Sequence, residues 1–325
     1  MPLLEVIDLQ TCFHTEAGTL HAVGGVSFSV EGGRTLGIVG ESGCGKSVTA
    51  MSIMRLVPSP PGEIVGGQIL LRGEDILKMS TREMPNLRGK EIAMIFQDPM
   101  TSLNPVFTVE RQMGEVLKLR YGLVGEEARK RAMEMLELVG IGEPAARLAA
   151  YPHELSGGMK QRIMIAMALL CEPAILIADE PTTALDVTIQ AQILHLMKEL
   201  QKKMGTAIIL ITHAMGVVAE TCDDVVVMYA GKVAEHASVH DLFAKTRHPY
   251  THGLLKSIPM KGLSKDTPLF TIEGTVPALF NPPVGCRFAD RCFRKQDRCV
   301  QEQPPLEEIA PGHKVACFFP LEVKE

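Results

Sequence analysis

Short, unbroken apolar runs recur along the first two thirds of the chain, separated by segments with helical spacing. Runs of this kind predict strands that are buried on both faces, as in a parallel sheet. They lie at residues 34–39 (RTLGIV), 91–96 (EIAMIF), 174–178 (AILIA), 207–211 (AIILI) and 225–229 (VVVMY), and residues 23–30 (VGGVSFSV) form a further β-type run.

The segments between these runs carry the apolar spacing of amphipathic helices. The clearest example has its apolar residues at Ala128, Ala132, Met135, Leu136 and Val139. It is followed by Gly140, a typical helix stop. Further helical spacing begins at Ser47 and at Ile163. Strands that alternate with helices predict an α/β fold.

The composition changes near residue 259, where Pro, Gly and Cys become frequent and helical periodicity weakens. We therefore predict a main domain over residues 1–258 and a small C-terminal domain over residues 259–325. A tail of this length has too little apolar surface for a secure independent core unless something staples it.

Composition and charge exclude several classes of protein. With 46% apolar and 22% charged residues, the chain has globular rather than disordered usage. A net charge of -5 argues against a nucleic-acid binder that relies on overall charge. No stretch approaches about 18 consecutive apolar residues, so we expect no membrane-spanning helix. The first residues lack the features of a secretory signal, so we expect a reducing compartment.

Residues Gly40–Ser47 (GESGCGKS) have the spacing of a phosphate-binding loop between a strand and a helix. Glycines allow backbone N–H groups to curl around phosphate oxygens, and the helix N-terminus adds a positive dipole end. Lys46 would reach the β- and γ-phosphates, and Ser47 would ligate Mg²⁺. The predicted nucleotide contacts in this segment are Gly40, Ser42, Gly43, Cys44, Gly45, Lys46, Ser47 and Val48.

Two acids, Asp179 and Glu180, follow the buried run at 174–178. Asp179 is positioned to hold Mg²⁺, usually through water, and Glu180 is then the natural general base for the attacking water. Such a pair alone often only marks a strand end. Together with the phosphate loop it indicates a P-loop nucleotide-binding protein, which leaves kinases, GTPases, helicases and ABC ATPases open.

Residues 155–159 (LSGGM) precede the apolar helical stretch that begins at Ile163. Ser156, Gly157 and Gly158 would place a hydroxyl and exposed backbone donors at a helix N-terminus, which makes a second anion site. Taken alone, this short pattern also fits an ordinary serine N-cap.

With these motifs, the chain resembles the ATP-binding subunit of an ABC transporter over essentially its whole length. LSGGM resembles the family's signature, which grips the ATP bound to the other subunit. The resemblance therefore implies a dimer with ATP sandwiched at its interface. Residues 183–186 (TALD) resemble the D-loop, and Asp186 would communicate across the dimer.

The same resemblance assigns further contacts around the nucleotide. Gln97 would contact Mg²⁺ and the attacking water, His213 would contact the γ-phosphate, and Phe13 would stack on adenine. The family usually has Asp after this His, whereas this chain has Ala214, which predicts weaker local hydrogen bonding. The implied catalytic residues are Glu180, His213, Gln97 and Lys46, and the implied Mg²⁺ ligands are Ser47, Gln97 and Asp179.

Longer motifs resemble one subfamily, the ATPases of dipeptide and oligopeptide importers, which also include nickel importers. They are residues 40–43 (GESG), 97–105 (QDPMTSLNP), 180–190 (EPTTALDVTIQ) and 247–251 (RHPYT). The resemblance implies an ATPase that drives peptide uptake from the cytoplasmic face of the inner membrane. It implies as partners a second homologous ATPase, two membrane permeases and an external solute-binding protein. A helical subdomain at about 98–170 would meet a permease.

The tail carries Cys286, Cys292, Cys299 and Cys317 with the spacing C-x5-C-x6-C-x17-C. In a reducing compartment, clustered cysteines more often hold a metal than form disulfides. Zinc ribbons prefer C-x2-C pairs, so the spacing favours a [4Fe–4S] cluster, with zinc second and free structural thiols third. The subfamily has a similar C-terminal cysteine region that resembles a [4Fe–4S] ligand set.

Two functions from other classes stay open. One is a soluble ABC ATPase in repair or translation, although such proteins often have two ATPase domains or a long coiled-coil insertion, and this chain has neither. The other is a metal-binding regulatory subunit, in which the cysteine tail is a sensor and ATP hydrolysis is secondary. Within the importer subfamily, a nickel chelate is an alternative cargo.

Overall fold

A computed structural model describes residues 2–97, 102–183, 185–258 and 270–322. The chain divides into two compact units. The first unit contains Met1–Glu31, Thr35–Lys78 and Leu210–Glu325, and the second contains Gly32–Arg34 and Met79–Ile209. The predicted boundary between 258 and 259 borders residues 259–269, which lie outside the described ranges.

The described strands and helices alternate along most of the chain. The strands are β1 Leu4–Thr15, β2 Gly18–Val30, β3 Thr35–Val39, β4 Gly62–Leu71, β5 Glu74–Asp75, β6 Ile92–Ile95, β7 Ile175–Asp179, β8 Ala207–Thr212, β9 Asp224–Tyr229, β10 Lys232–Ser238, β11 Glu307–Ala310 and β12 His313–Val315. The α-helices are α1 Lys46–Ile53, α2 Met84–Leu87, α3 Val109–Tyr121, α4 Gly125–Leu138, α5 Pro144–Ala149, α6 Gly157–Leu169, α7 Val187–Met204, α8 Met215–Thr221, α9 Val239–Ala244, α10 Pro249–Lys256 and α11 Asp297–Gln301. None of the helices in these ranges is both long and apolar enough to cross a membrane.

One sheet of the first unit is antiparallel, with strand order β2-β1-β4-β5. Its central strand, β1, is not predicted from the apolar pattern. The reason is visible in the pairing, because the register of β1 with β2 shifts between Val6 and Leu9, again at Gln10 and again before Phe13. Such irregularities change which face a side chain occupies, so the period-two signal is lost.

The other sheet of the first unit runs in the order β11-β12-β10-β9-β3. β3 and β9 pair in parallel, as their unbroken apolar sequences suggest. β10, β12 and β11 continue the sheet in antiparallel pairs, so the tail contributes two strands. The pairing of Glu235 with Val315 joins the tail to β10.

The tail also contributes to the hydrophobic core of the first unit. Val39 and Val227 lie in that core, together with Tyr250 from α10. Leu279 and Phe288, from the C-terminal segment, belong to the same buried cluster. Residues 270–322 therefore pack as part of the first unit.

In the second unit, β6 pairs in parallel with β7, and several helices pack together. The predicted amphipathic helix is confirmed as α4, with Ala128, Ala132, Met135 and Leu136 buried. Gly140 has φ of 73° and follows the last turn, which is the left-handed position that favours glycine. Residues 98–101, at the start of the predicted helical subdomain, lie outside the described ranges.

Candidate nucleotide site

The phosphate loop of the first unit contains three glycines with positive φ, and at two of them there is no room for a Cβ atom. Gly40, Gly43 and Gly45 have φ values of 151°, 76° and 100°. A Cβ atom on Gly40 would lie 2.2 Å from the carbonyl oxygen of Met228, and one on Gly45 would lie 2.4 Å from that of Ala22. The loop therefore needs glycine at 40 and 45 for steric reasons as well as for backbone conformation.

Lys46 is the first residue of α1, and its side chain is buried within the loop. Its Nζ atom donates to the carbonyl oxygens of Gly40 at 2.9 Å and Glu41 at 3.1 Å. Gly45 precedes the helix without any side-chain cap, so the first turn keeps the donor character that anions favour. A glycine cradle, a lysine ammonium and a helix N-terminus together fit a nucleotide phosphate chain.

The other predicted loop residues differ in exposure. Ser42 and Gly43 are exposed, whereas Ser47 and Val48 are half-buried. Cys44 is buried, and burial raises the pKa of its thiol despite the nearby ammonium of Lys46. Its side chain is thus a neutral packing group, and any contact with a phosphate would come from its backbone.

Two predicted contacts lie elsewhere in the first unit. Phe13 of β1 is half-buried and pairs with Gly62 of β4, and its ring fills the space beside that glycine. His213 follows β8 and is exposed. Ala214 precedes α8 without a side-chain cap, and its N–H donates to the Thr212 hydroxyl at 3.1 Å. The Thr212 hydroxyl therefore accepts a hydrogen bond from the backbone N–H of the residue that follows His213.

The second unit brings together Glu180, the predicted general base, and Gln97, which is predicted to contact Mg²⁺ and the attacking water. Gln97 Nε2 donates to Glu180 Oε2 at 2.9 Å, and the Thr183 hydroxyl donates to the same oxygen at 2.9 Å. Two donors on one carboxylate oxygen fix the orientation of the side chain. The hydrogen bond from Thr183 is not predicted by the sequence analysis, although its D-loop-like stretch includes this residue.

The backbone around Glu180 is held in an unusual conformation. Asp179 ends β7 and is buried, and Glu180 follows with φ of 46°, a region rarely adopted by residues other than glycine. The fully buried side chain of Gln161, on α6, donates to the carbonyl oxygen of Pro181. Gln161 therefore ties the helix after the signature to the turn after the base, a role that the sequence analysis misses.

The signature residues lie where α6 begins. Ser156 is its N-cap, and the serine hydroxyl accepts from the N–H of Met159 at 3.3 Å. Gly157 and Gly158 form the first turn of the helix rather than the segment before it. The structure thus contains the ordinary N-cap, and the same Ser156 also lines a cavity of about 500 Å³, whose other lining residues include Gly158, Arg147 and Arg162.

Asp186 is the N-cap of α7, and its carboxylate accepts from the N–H of Ile189 at 3.0 Å. Its side chain is exposed. Ala184, inside the predicted D-loop, lies outside the described residues. Asp186 is therefore a defined helix cap at the surface of the second unit.

The prediction that Cys286, Cys292, Cys299 and Cys317 hold an iron–sulfur cluster is wrong. All four thiols are free and line one pocket with only about 10 Å³ of accessible space. Yet the described residues contain no group of three or more His, Cys, Asp or Glu side chains arranged to hold a metal ion. Burial raises the pKa of Cys286 and of Cys317 to about 11, so these thiols are protonated at neutral pH.

Comparison with known families gives two matches along the chain. The family model described as ABC transporter matches residues 23–183. These residues include the phosphate loop, Gln97, the signature and Glu180. The model described as oligopeptide/dipeptide transporter, C-terminal region, matches residues 234–299. The second match covers α10 and three of the four tail cysteines.

Similar curated proteins align along nearly the whole chain. A probable peptide ABC transporter ATP-binding protein of Sinorhizobium fredii is 55% identical over 99% of this chain and 96% of its own length. The oligopeptide transport ATP-binding protein OppD of Bacillus subtilis is 54% identical over 98% of this chain and 88% of its own. The dipeptide transport ATP-binding protein DppD of Escherichia coli is 48% identical over 99% of this chain and 98% of its own length. None of these names mentions an iron–sulfur cluster.

Solved structures share the architecture. A dimeric, post-hydrolysis structure of the ATP-binding cassette MJ0796 bound to ADP and Pi has a TM-score of 0.65 and 26% identity. It covers 73% of this chain and 98% of that chain. The structure of the cbiO1 protein of Clostridium perfringens has a TM-score of 0.64 and 31% identity. That match covers 75% of this chain and 91% of the cbiO1 chain.

Proposed function

This chain belongs to the family of ABC transporter ATP-binding proteins of the oligopeptide and dipeptide group, and from this premise we propose that it couples ATP hydrolysis to the uptake of di- or oligopeptides. Its fold is the α/β ATP-binding cassette, and the chain is an ABC-type ATPase. The observation that carries the peptide cargo is identity of 48% to 55% with peptide-transport ATPases along nearly the full length.

We propose that the working assembly contains a second homologous ATPase, two membrane permeases and an external solute-binding protein. The chain would lie peripherally at the cytoplasmic face of the membrane. The names of the relatives, which are ATP-binding proteins of transporters, support these partners. Residues 1–258 would form the ATPase domain, with a permease-facing helical subdomain at about 98–170, and residues 259–325 a small cysteine-containing domain.

Binding of the nucleotide would begin at the phosphate loop. The backbone N–H groups of the glycine cradle would hold phosphate oxygens, and the Lys46 ammonium would move from its backbone carbonyl partners to the β- and γ-phosphates. Ser47, Gln97 and Asp179 would hold Mg²⁺, which when bound neutralises charge on the phosphoryl oxygens. Phe13 would stack on the adenine.

Hydrolysis would then depend on the carboxylate of Glu180. This carboxylate would accept a proton from the attacking water, while Gln97 and His213 would complete the contacts around the γ-phosphate. The hydrogen bonds from Gln97 and Thr183 support this assignment, because they hold one carboxylate oxygen in place. A positioned base needs no reorientation when the water arrives.

The signature would serve the nucleotide of the partner ATPase. Ser156 and Gly158 border a cavity that is also lined by Arg147, Arg162 and Glu143, and Arg147 pairs with Glu143. A helix N-terminus beside the remaining guanidinium group of Arg162 suits an anionic phosphate. Asp186, an exposed N-cap, would carry the communication between the two sites. Closing and opening of such a dimer would drive the transport cycle.

Transport in proteoliposomes tests this proposal. The chain is reconstituted with the permeases and second ATPase that co-purify with it from native membranes. Uptake of labelled di- and tetrapeptides is measured with ATP inside the liposomes and the solute-binding protein outside. We expect ATP-dependent peptide uptake that Glu180→Gln abolishes. Uptake of a nickel chelate alone would contradict the peptide cargo, and recovery of an active ATPase without any permease would contradict the transport function.

A further inference from the structure

Arg291, in the C-terminal tail, makes a two-pronged contact with the phosphate loop. Its guanidinium donates to Glu41 Oε2 at 2.6 Å and to Glu41 Oε1 at 2.9 Å. The Arg291 side chain is only 5% exposed and that of Glu41 28%. Because two parallel N–H···O bonds fix both direction and distance, this is a far more rigid link than a single surface ion pair.

The guanidinium is itself anchored on three further groups. Its Nε atom donates to the carbonyl oxygen of Glu273 at 3.0 Å, and a terminal nitrogen donates to that of Ile272 at 3.0 Å. The other terminal nitrogen also reaches the Tyr229 hydroxyl at 3.2 Å. Arg291 is therefore held by the tail and by the end of β9, so it cannot follow Glu41 if the loop moves.

Glu41 is in turn held through every polar group it has. Its carboxylate accepts from Arg291, its N–H donates to the Tyr250 hydroxyl at 2.9 Å, and its carbonyl oxygen accepts from Lys46. Two of these three partners come from residues more than 200 positions away. The conformation of the loop at its second residue thus depends on α10 and on the tail.

A second arginine of the same tail segment reaches the loop indirectly. Arg287 donates to the carbonyl oxygen of Ala230, in the turn between β9 and β10. The next residue, Gly231, donates its N–H to the carbonyl oxygen of Cys44 at 2.9 Å. Between the two arginines, the ring of Phe288 packs edge-on against Tyr229, with centroids 5.1 Å apart.

We propose that Arg291 is a positioning residue of the nucleotide site, which acts through Glu41 to hold the phosphate loop in its ATP-binding conformation. The inference rests on the proposed nucleotide role of the loop. Charge gives a second reason for the pair. An unpaired carboxylate at position 41 would repel the incoming phosphates, and Arg291 neutralises it. The tail thereby contributes to affinity for ATP.

The test compares ATP dissociation constants of the full-length chain, measured with Mg²⁺ by calorimetry before appreciable hydrolysis. For Arg291→Gln we expect an increase of about tenfold, because only a fraction of the loops would then be competent to bind. Arg291→Lys should be intermediate, since it keeps the charge and loses the two-pronged geometry. Lys295→Gln is the matched control, because Lys295 is in the same segment but forms an exposed pair with Asp290.

A double variant separates the charge effect from mere loss of packing. Glu41→Gln combined with Arg291→Gln should bind ATP more tightly than Arg291→Gln alone, because the repelling carboxylate is gone. Additive weakening in the double variant, or an unchanged ATP dissociation constant in Arg291→Gln with only a lower melting temperature, would overturn the proposal. Either result would leave Arg291 a structural residue of the tail.

Two further variants allow the proposal to be tested if Arg291→Gln does not fold or if the loop does not bind nucleotide. If Arg291→Gln does not fold, Tyr250→Phe removes only the hydroxyl that accepts the Glu41 N–H, and an increase of about threefold in the dissociation constant is expected from one lost hydrogen bond. An unchanged value would count against the proposal. Lys46→Ala tests the premise separately, because wild-type affinity in that variant would contradict the nucleotide role of the loop itself.

Discussion

Gln97 and Glu180 lie 83 positions apart in the chain, and their side chains meet in a hydrogen bond of 2.9 Å. The bond joins the end of β6 to the end of β7, two strands that pair in parallel. Parallel neighbours bring their carboxyl ends to the same edge, which is where α/β proteins place their chemistry. The relationship therefore couples the residue proposed to touch Mg²⁺ with the proposed base.

Replacement of the base should separate binding from hydrolysis. Glu180→Gln keeps the size of the side chain and one acceptor oxygen, but the amide cannot take a proton from water. We expect ATP turnover to fall by about a hundredfold or more, within the range for lost general-base catalysis, while the ATP dissociation constant stays near that of the wild type. Phosphate release and equilibrium ATP binding, measured on the same preparation, check both parts. Wild-type-like turnover would exclude Glu180 as the base.

The hydroxyl of Thr183 should matter for turnover. Thr183→Val keeps the shape and removes the donor to Glu180, and we expect kcat to fall by about tenfold, as for a loss of roughly 1.4 kcal/mol of positioning. Thr183→Ser, which keeps the hydroxyl, is the matched control and should retain most activity. Steady-state ATP hydrolysis measures both variants, and equal activity of valine and serine would show that this hydrogen bond does not support the base.

The phosphate loop should tolerate a methyl group at one glycine and not at another. Gly45→Ala would bring a Cβ atom to 2.4 Å from the carbonyl oxygen of Ala22, so the loop must shift and ATP binding should be lost at millimolar nucleotide. Gly43→Ala meets no atom within 4 Å and carries only the strain of φ at 76°, so we expect weaker effects there. Nucleotide-dependent thermal stabilisation measures the difference, and equal stabilisation of the two variants would contradict it.

Acid should destabilise the fold through a buried histidine. His248 is the N-cap of α10, and its Nδ1 atom accepts from the N–H of Tyr250 at 3.0 Å. Burial lowers the pKa of His248 from its usual 6.5 to about 4, although the Glu235 carboxylate opposes this. Between these two pH values the unfolded chain binds a proton that the folded chain rejects, so stability falls as the pH decreases. The largest loss is about 3 kcal/mol, reached near pH 4.

Urea unfolding at a series of pH values checks this prediction. His248→Asn keeps a side-chain acceptor at the helix cap and cannot titrate, so its stability should depend less on pH between 6.5 and 4. His195→Asn is the control, because His195 is exposed on α7. If the two variants show the same pH dependence as the wild type, another group is responsible for the acid sensitivity.

The strands that were predicted correctly were located from local sequence patterns. Apolar runs located β3, β6, β7, β8 and β9 within a residue or two, because a strand buried on both faces needs apolar residues throughout. The loop at Gly40–Ser47 was also recognisable, because its glycines, lysine and serine are close together in the sequence. The role of Gln97 at Mg²⁺ and the attacking water came only from the family resemblance, and its hydrogen bond to Glu180 was not predicted.

The remaining features depend on contacts that no local pattern encodes. Arg291 meets Glu41 across 250 positions, and in the sequence it stands among several other basic residues of the tail. Gln161 resembles any polar helix residue until its burial against the turn after Glu180 is known. The cysteines do gather in one place, but clustering along the chain could not distinguish an apolar thiol pocket from a metal site. The arrangement of the side chains made that distinction, because the described residues contain no group of three or more His, Cys, Asp or Glu side chains that could hold a metal ion.

The contact between Arg291 of the tail and Glu41 of the phosphate loop limits how this protein can be recombined with its relatives. A chimera joined between residues 258 and 270 would take Glu41 and Tyr229 from one parent and Arg291 and Phe288 from the other. Such a hybrid would function only where both parents supply matching partners at these positions. The predicted domain boundary near residue 259 is thus a poor crossover site for chimeras. The phosphate loop and the C-terminal tail have to come from the same parent, or from parents with matching residues.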